Sequence, residues 1–168
     1  MGDLHVSWTD YHRDIERLAA KVHAEGRQFD QIVCVARGGL RVGDTLSRIF
    51  KVPLAIISAS SYTGEAGMVR GEITVAKHMT MTSESLGERL LLVDDLVDSG
   101  VTLEVVKRHL LESRPKVKEV RTAVLWYKAC SQCKPDYYVH YLPGNPWIHQ
   151  PFEPYDLMSP SDLPGCTS

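Results

Sequence analysis

The sequence predicts an α/β fold with a mainly parallel, twisted sheet flanked by helices. Two observations carry the prediction. Short apolar runs of strand length alternate along the chain with segments of helical periodicity, the pattern of strands joined by crossover helices and covered on both faces. One of those runs, Leu90–Val93, is uninterruptedly apolar and stops at two adjacent carboxylates, Asp94 and Asp95, before Asp98, Ser99, Gly100, Val101 and Thr102 lead into an amphipathic stretch. Open α/β sheets bind their ligands beyond such strand ends.

Each element follows from local pattern. A helix follows Ser7-Trp8-Thr9, with Tyr11, Ile15, Leu18, Ala19 and Val22 on one face and Gly26 as its stop. Gln31–Ala36 reads as a buried strand, and Arg37, Gly38 and Gly39 break it. Leu40 to Phe50 carries helical spacing through Leu40, Val42, Leu46 and Phe50. Strands follow at Pro53–Ser58 and Arg89–Val93, a helix at Val101–Glu112, and strands at Val120–Tyr127 and Tyr137–Tyr141. The polar insertion over residues 60–88 holds one weak strand signal, Ile73-Thr74-Val75; a connection this long in a small domain is usually functional, often a lid. From Pro143 the chain is proline-rich and aperiodic, which predicts an ordered extended segment that loosens near Ser159.

The 168 residues are expected to form one domain, large enough for a core without disulfide or metal staples. A charged fraction of 24% and a formal charge of -2, with no Lys/Arg run, give no reason to expect a nucleic-acid partner. The N-terminus has neither a cationic start nor an apolar signal region, and no stretch approaches the ~18 apolar residues of a membrane span. A cytoplasmic protein is the expectation. Cys34 reads as a small core residue, while Cys130 and Cys133 have the spacing of half a zinc site or a redox pair without a partner pair elsewhere; the expectation is two reduced thiols in a connecting loop.

The strand–helix join over residues 94–102 concentrates the chemistry. Ser, Gly and Thr there let backbone N–H groups and the positive helix end converge, which suits a phosphate. Carboxylates beside a phosphate repel it unless they grip sugar hydroxyls, hold Mg²⁺ or move a proton, so the segment reads as a sugar-phosphate site. The simpler alternative is that Asp94 or Asp98 merely caps the helix. Arg37, Gly38 and Gly39 form a loop able to present N–H groups and a cationic fork to a polyanion, and Ser60, Ser61 and Tyr62, which open the insertion, lie beyond the carboxyl end of another strand.

This order of residues closely resembles the phosphoribosyl pyrophosphate (PRPP) signature of the type I phosphoribosyltransferases, and the resemblance extends over about residues 6–156. It implies the fold of that family, with residues 60–88 as a flexible hood and about 126–156 as a base-binding segment. It assigns PRPP to Arg37, Gly38, Gly39, Ser61, Tyr62, Asp94, Asp95, Ser99, Gly100, Val101 and Thr102, with Mg²⁺ held at Asp94 and Asp95 and Asp98 as proton acceptor. In the family the peptide entering the first loop glycine is often strained or cis. Lys128, Trp147 and Ile148 match the base-binding half of bacterial xanthine-guanine phosphoribosyltransferases, where a lysine donates to the purine 6-oxo group and an aromatic ring stacks on the base. The resemblance therefore implies transfer of phosphoribose from PRPP to a 6-oxopurine by a homodimer or homotetramer. His149 and the Phe152-Glu153-Pro154 ending depart from that pattern and leave guanine, xanthine and hypoxanthine unranked. Val101 replaces a frequent second glycine. Transfer to another acceptor, or non-catalytic PRPP sensing, are the alternatives that the same motif allows.

Overall fold

The structure, a computed structural model, describes residues 2–26, 28–61 and 72–164. In chain order these form β1 (Leu4–His5), α1 (Trp8–Ala24), β2 (Gln31–Ala36), α2 (Gly39–Phe50), β3 (Leu54–Ser61), β4 (Ile73–Val75) and β5 (Thr80–Met81). There follow β6 (Arg89–Val93), β7 (Leu96–Val97), α3 (Val101–Ser113), β8 (Glu119–Lys128), β9 (Tyr137–Leu142) and β10 (Ile148–His149). Short 3₁₀ turns occupy Glu153–Asp156 and Pro160–Asp162.

Strand register turns the apolar runs into two core faces. Along β2, Ile32 and Cys34 point to one side of the sheet and Val33 and Val35 to the other, as the period of two requires. The first face packs under α1 and α2 through Tyr11, Ile15, Leu18, Val42 and Leu46. The second packs under α3 through Leu103, Val106 and Leu110. Cys34 is fully buried, as its apolar setting predicts, and burial pushes its thiol up to about 11. Helix α1 starts at Ser7, whose hydroxyl accepts from the Asp10 N–H at 3.1 Å, and passes its end at Gly26 with φ +66°.

The main sheet runs β4-β3-β2-β6-β8, with β9 on the far edge of β8. All pairs among β2, β3, β6, β8 and β9 are parallel. Strand β2 passes through α2 to β3 on one side, whereas β6 passes through α3 to β8 on the other. The loops that leave β2 and β6 therefore diverge, and a crevice opens between them at the topological switch point.

Four two-residue strands carry no readable period. β1 and β10 pair with each other, parallel, outside the main sheet. β7 resumes pairing with β8 after an interruption at Asp94 and Asp95. β5, inside the predicted insertion, pairs antiparallel with β3, as does the expected β4. Met79, Met81 and Leu86 from this stretch pack on the second core face.

Strand β9 is fixed by a half-buried carboxylate. Asp136 accepts from Arg121 Nη1 at 2.8 Å, Thr122 N–H at 2.9 Å and Thr122 Oγ1 at 2.9 Å, all on β8. Burial alone would raise this carboxyl, but the Arg121 and Thr122 donors outweigh it and hold it below the usual range. A lowered folded-state pKa contributes stability above the unfolded value and loses it as pH falls through the folded value. Asp136→Asn should therefore cost about 2 kcal/mol in urea unfolding at pH 7. The gap from wild type should close as pH drops below about 4.

Candidate active site

The acidic pair sits where the β6–β8 ladder is interrupted. Asp94 N–H still donates to Ala123 O at 3.2 Å, and Asp95 O then accepts from both Leu125 and Trp126, at 2.9 and 3.1 Å. Both carboxylates are thereby turned toward the loop that leaves β2. Asp94 accepts from the Gly39 N–H and, at 3.0 Å, from the Asp95 N–H. The Asp95 carboxylate lies against Gly38, where an added Cβ would stand 2.7 Å from its Cγ. At Gly39 a Cβ would stand 2.6 Å from Val93 O. Both glycines are required by this contact between backbone and acid, a close approach that the sequence pattern assigns to a polyanion. The cis peptide is Ala36–Arg37, two bonds from Gly39 and one before the bond the family pattern suggested.

The two acids differ. Asp94 is half-buried on the crevice floor, and Asp95 is buried, held by Gln150 Nε2 at 2.5 Å. Burial, and next the neighbouring Asp95 charge, push the Asp94 carboxyl well above the usual range. Both carboxylates supply hard oxygen donors of the kind Mg²⁺ takes in ones or twos, with substrate oxygens and waters completing the shell. Among the described residues no group of three or more His, Cys, Asp or Glu side chains is arranged to hold a metal by itself.

Helix α3 begins at Gly100, with φ +82° and no side-chain cap. Neither Asp94 nor Asp98 caps it, so that alternative falls. The Ser99 hydroxyl accepts from the Val101 N–H at 3.4 Å, and Val101 and Thr102 form the open first turn. A cavity of about 310 Å³ over this turn is lined by Asp94, Asp95, Asp98, Ser99, Gly100 and Thr102, among others, and by Gln150. A second, of about 480 Å³, runs past Arg37, Gly38, Arg41 and Phe152. Arg37 is exposed there, 3.3 Å from Asp156 Oδ1.

At the end of β8, Lys128 is 4% exposed and its Nζ lies 3.5 Å from Asp98 Oδ2. The expected loop of free thiols follows, and it does more than connect. Cys130 Sγ donates to Asp98 Oδ1 at 3.4 Å, Gln132 N–H to Ser99 O at 3.0 Å, and Cys133 Sγ to Gly100 O at 3.3 Å. Trp147 is 62% exposed, while Ile148 beside it is buried. Leu4 N–H donates to Trp147 O and Val6 N–H to His149 O, so the pleat turns the N–H and C=O of Ile148 to the other edge of β10. His149 faces the N-terminal strand instead, stacked on His5 at 4.3 Å and 3.2 Å from Asp3 Oδ2. Phe152 lies under the Arg41 guanidinium at 4.5 Å.

Ser61 ends β3 opposite Ile73, and Tyr62 and Arg70 fall outside the described residues. Missed from sequence were Gln150 and the loop from Cys130 to Cys133. Gln150 is two residues beyond Ile148, on the same side of an extended segment, and that spacing was the available signal.

Comparison with known proteins agrees with this architecture. Residues 7–157 match the phosphoribosyl transferase domain. The chain is 35% identical to a xanthine-guanine phosphoribosyltransferase of Gluconobacter oxydans over 156 residues, 92% of this chain and 87% of that one. A crystal structure of a purine phosphoribosyltransferase from Pyrococcus horikoshii matches with TM-score 0.72 and 31% identity over 91% of this chain and 95% of that one. The Helicobacter pylori xanthine-guanine-hypoxanthine phosphoribosyltransferase matches with TM-score 0.73 and 26% identity, over 92% and 95%.

A carboxyl whose folded pKa is raised opposes folding once pH exceeds its unfolded value, because the native state must then either hold its proton or bear a buried charge. Asp94→Asn should accordingly melt at a higher temperature than wild type at pH 7 in metal-free buffer. The two should converge toward pH 4, where both side chains are neutral, as differential scanning calorimetry would show.

Proposed function

The chain belongs to the phosphoribosyl transferase domain family, and on that premise we propose that it transfers the 5-phosphoribosyl group of PRPP to a 6-oxopurine, releasing pyrophosphate. The observation that carries the base class is the Lys128–Asp98 pair, 3.5 Å apart. N7 and the 6-substituent of a purine are adjacent on one edge. A pair made of one donor and one acceptor at that spacing matches a 6-oxo group beside a protonated N7. A 6-amino group would meet Lys128 as a second donor, which disfavours adenine.

Each residue then has a task. Ser99, Gly100, Val101 and Thr102 hold the 5′-phosphate with the N–H groups that open α3. Arg37, Gly38 and Gly39 receive the pyrophosphate, where guanidinium and backbone N–H groups converge on a polyanion. Asp94 and Asp95 grip the ribose hydroxyls, and the same oxygens would hold Mg²⁺, which supplies charge neutralisation for the departing pyrophosphate. The bond between C1 of the ribose and pyrophosphate breaks, the purine nitrogen bonds to C1, and Asp98 accepts the proton that N7 gives up. Trp147 stacks on the ring and the backbone at Ile148 faces its 2-position. The insertion that Ser61 and Tyr62 open keeps water from the ribosyl cation.

Product formation from PRPP, Mg²⁺ and guanine, xanthine, hypoxanthine or adenine tests the proposal. Turnover of at least one 6-oxopurine with adenine inert is expected; adenine used as well as the others would refute the part given to Lys128. Asp98→Asn should keep PRPP affinity within about threefold yet lower kcat by about 10²–10⁴. Equal loss of both would take the proton-accepting role from Asp98. Lys128→Gln should narrow the preference for 6-oxopurines in the same panel.

A further inference from the structure

Gln150 lies outside the acidic motif, yet it completes the wall of the cavity formed by residues 94–103. Its side chain is 9% exposed, and its two ends differ. Asp95 can only accept, so the 2.5 Å contact with Asp95 Oδ2 must come from the amide N–H₂ of Gln150. That fixes the amide orientation and turns Oε1 away from Asp95. Oε1 is buried and has no hydrogen-bond partner. Native interiors leave few such atoms unpaired, and this one belongs to a side chain bordering a ligand cavity.

The chemistry of the missing partner is constrained. Oε1 is an acceptor, and the carboxylates of Asp94, Asp95 and Asp98 around the cavity are acceptors too. The donor is then a ligand, a bound water or the Tyr11 hydroxyl, which is also buried and unpartnered. A vicinal diol brings two O–H donors to a site whose half-buried acid, Asp94, can take one of them. A neutral amide oxygen shares the other with Asp95 without adding a third negative charge beside the pair.

From this we infer that Gln150 is a ribose-binding residue: its amide holds Asp95 in place, and its Oε1 accepts a hydrogen bond from a ribose hydroxyl of the bound phosphoribosyl group. The inference rests on the phosphoribosyl-transfer reading and adds to it a sugar contact supplied by the C-terminal segment. It also gives a reason for that segment to pass so close to the acidic motif. The segment that presents Trp147 and Ile148 to the base is tied through Gln150 to the residues that hold the sugar.

The test is a thermodynamic cycle by isothermal calorimetry with guanosine monophosphate and its 2′,3′-dideoxy analogue, on wild type, Gln150→Met and Gln150→Glu. Wild type should bind the dideoxy nucleotide roughly tenfold or more weakly. In Gln150→Met, which keeps the volume and loses both polar ends, that discrimination should shrink by roughly threefold or more. Gln150→Glu keeps an acceptor but sets a second carboxylate against Asp95; it should bind both nucleotides more weakly while retaining the discrimination. Packing damage alone would weaken both nucleotides equally and leave the ratio untouched. Discrimination in Gln150→Met equal to wild type overturns the inference and returns Oε1 to Tyr11 or to a water, with the phosphoribosyl reading intact. Failure of wild type to bind either nucleotide, together with no turnover in the base panel, overturns both.

Discussion

The structure depends on the seating of two adjacent carboxylates beneath a backbone that has no side chains to spare. Asp94 and Asp95 press against Gly39 and Gly38, and the donors that meet them are amides: the N–H groups of Gly39 and Asp95 and the side chain of Gln150. Amide donors orient the carboxylates without neutralising them. The acidic pair thus gets no countercharge from these donors, on the floor of a crevice walled by the first turn of α3 and the loop from Arg37 to Gly39. Paired carboxylate oxygens of this kind suit hydroxyl donors or a hard divalent cation.

The sheet makes this arrangement possible through its topology. Because α2 and α3 carry the chain away from β2 and β6 in opposite directions, the two loops meet at the switch point without competing for space. The interruption between β6 and β7 then lets two residues of a continuous ladder turn toward the neighbouring loop, while β8 keeps its pairing on either side of the gap. The price in stability is visible in Asp94, whose carboxyl is pushed well above the usual range by burial and by Asp95.

A second layer of contacts sets the edges of the crevice. The loop from Cys130 to Cys133 donates to Asp98, Ser99 and Gly100, so the turn that opens α3 is supported from behind by chain that also carries Lys128. Asp136 fixes the start of β9 to β8, and the Arg41 guanidinium over Phe152 fixes the chain beyond β10 to α2. His149, one of the departures from the bacterial xanthine-guanine pattern, is occupied with His5 and Asp3. This side of the crevice is thus held by contacts reaching from both ends of the chain.

Local pattern alone determined the long elements and the chemistry of the motif. The boundaries of β2 and β6, and the buried face of α1, follow from apolar spacing, and the strand, paired acids, small residues and helix of 90–102 carry their meaning in consecutive residues. What tertiary structure decided is everything that depends on residues distant in sequence. The two-residue strands β1, β7 and β10 exist only because a partner strand supplies their hydrogen bonds, and two residues are too few to show a period. The inequality of Asp94 and Asp95 comes from Gln150, fifty-five positions beyond Asp95. The closeness of Lys128 to Asp98 and the turn of Cys130 and Cys133 toward the same loop likewise come from strand register. Composition names the groups that can do chemistry, but only the packing of β6 beside β8, and of the C-terminal segment against both, fixes which of them face the same few cubic ångströms.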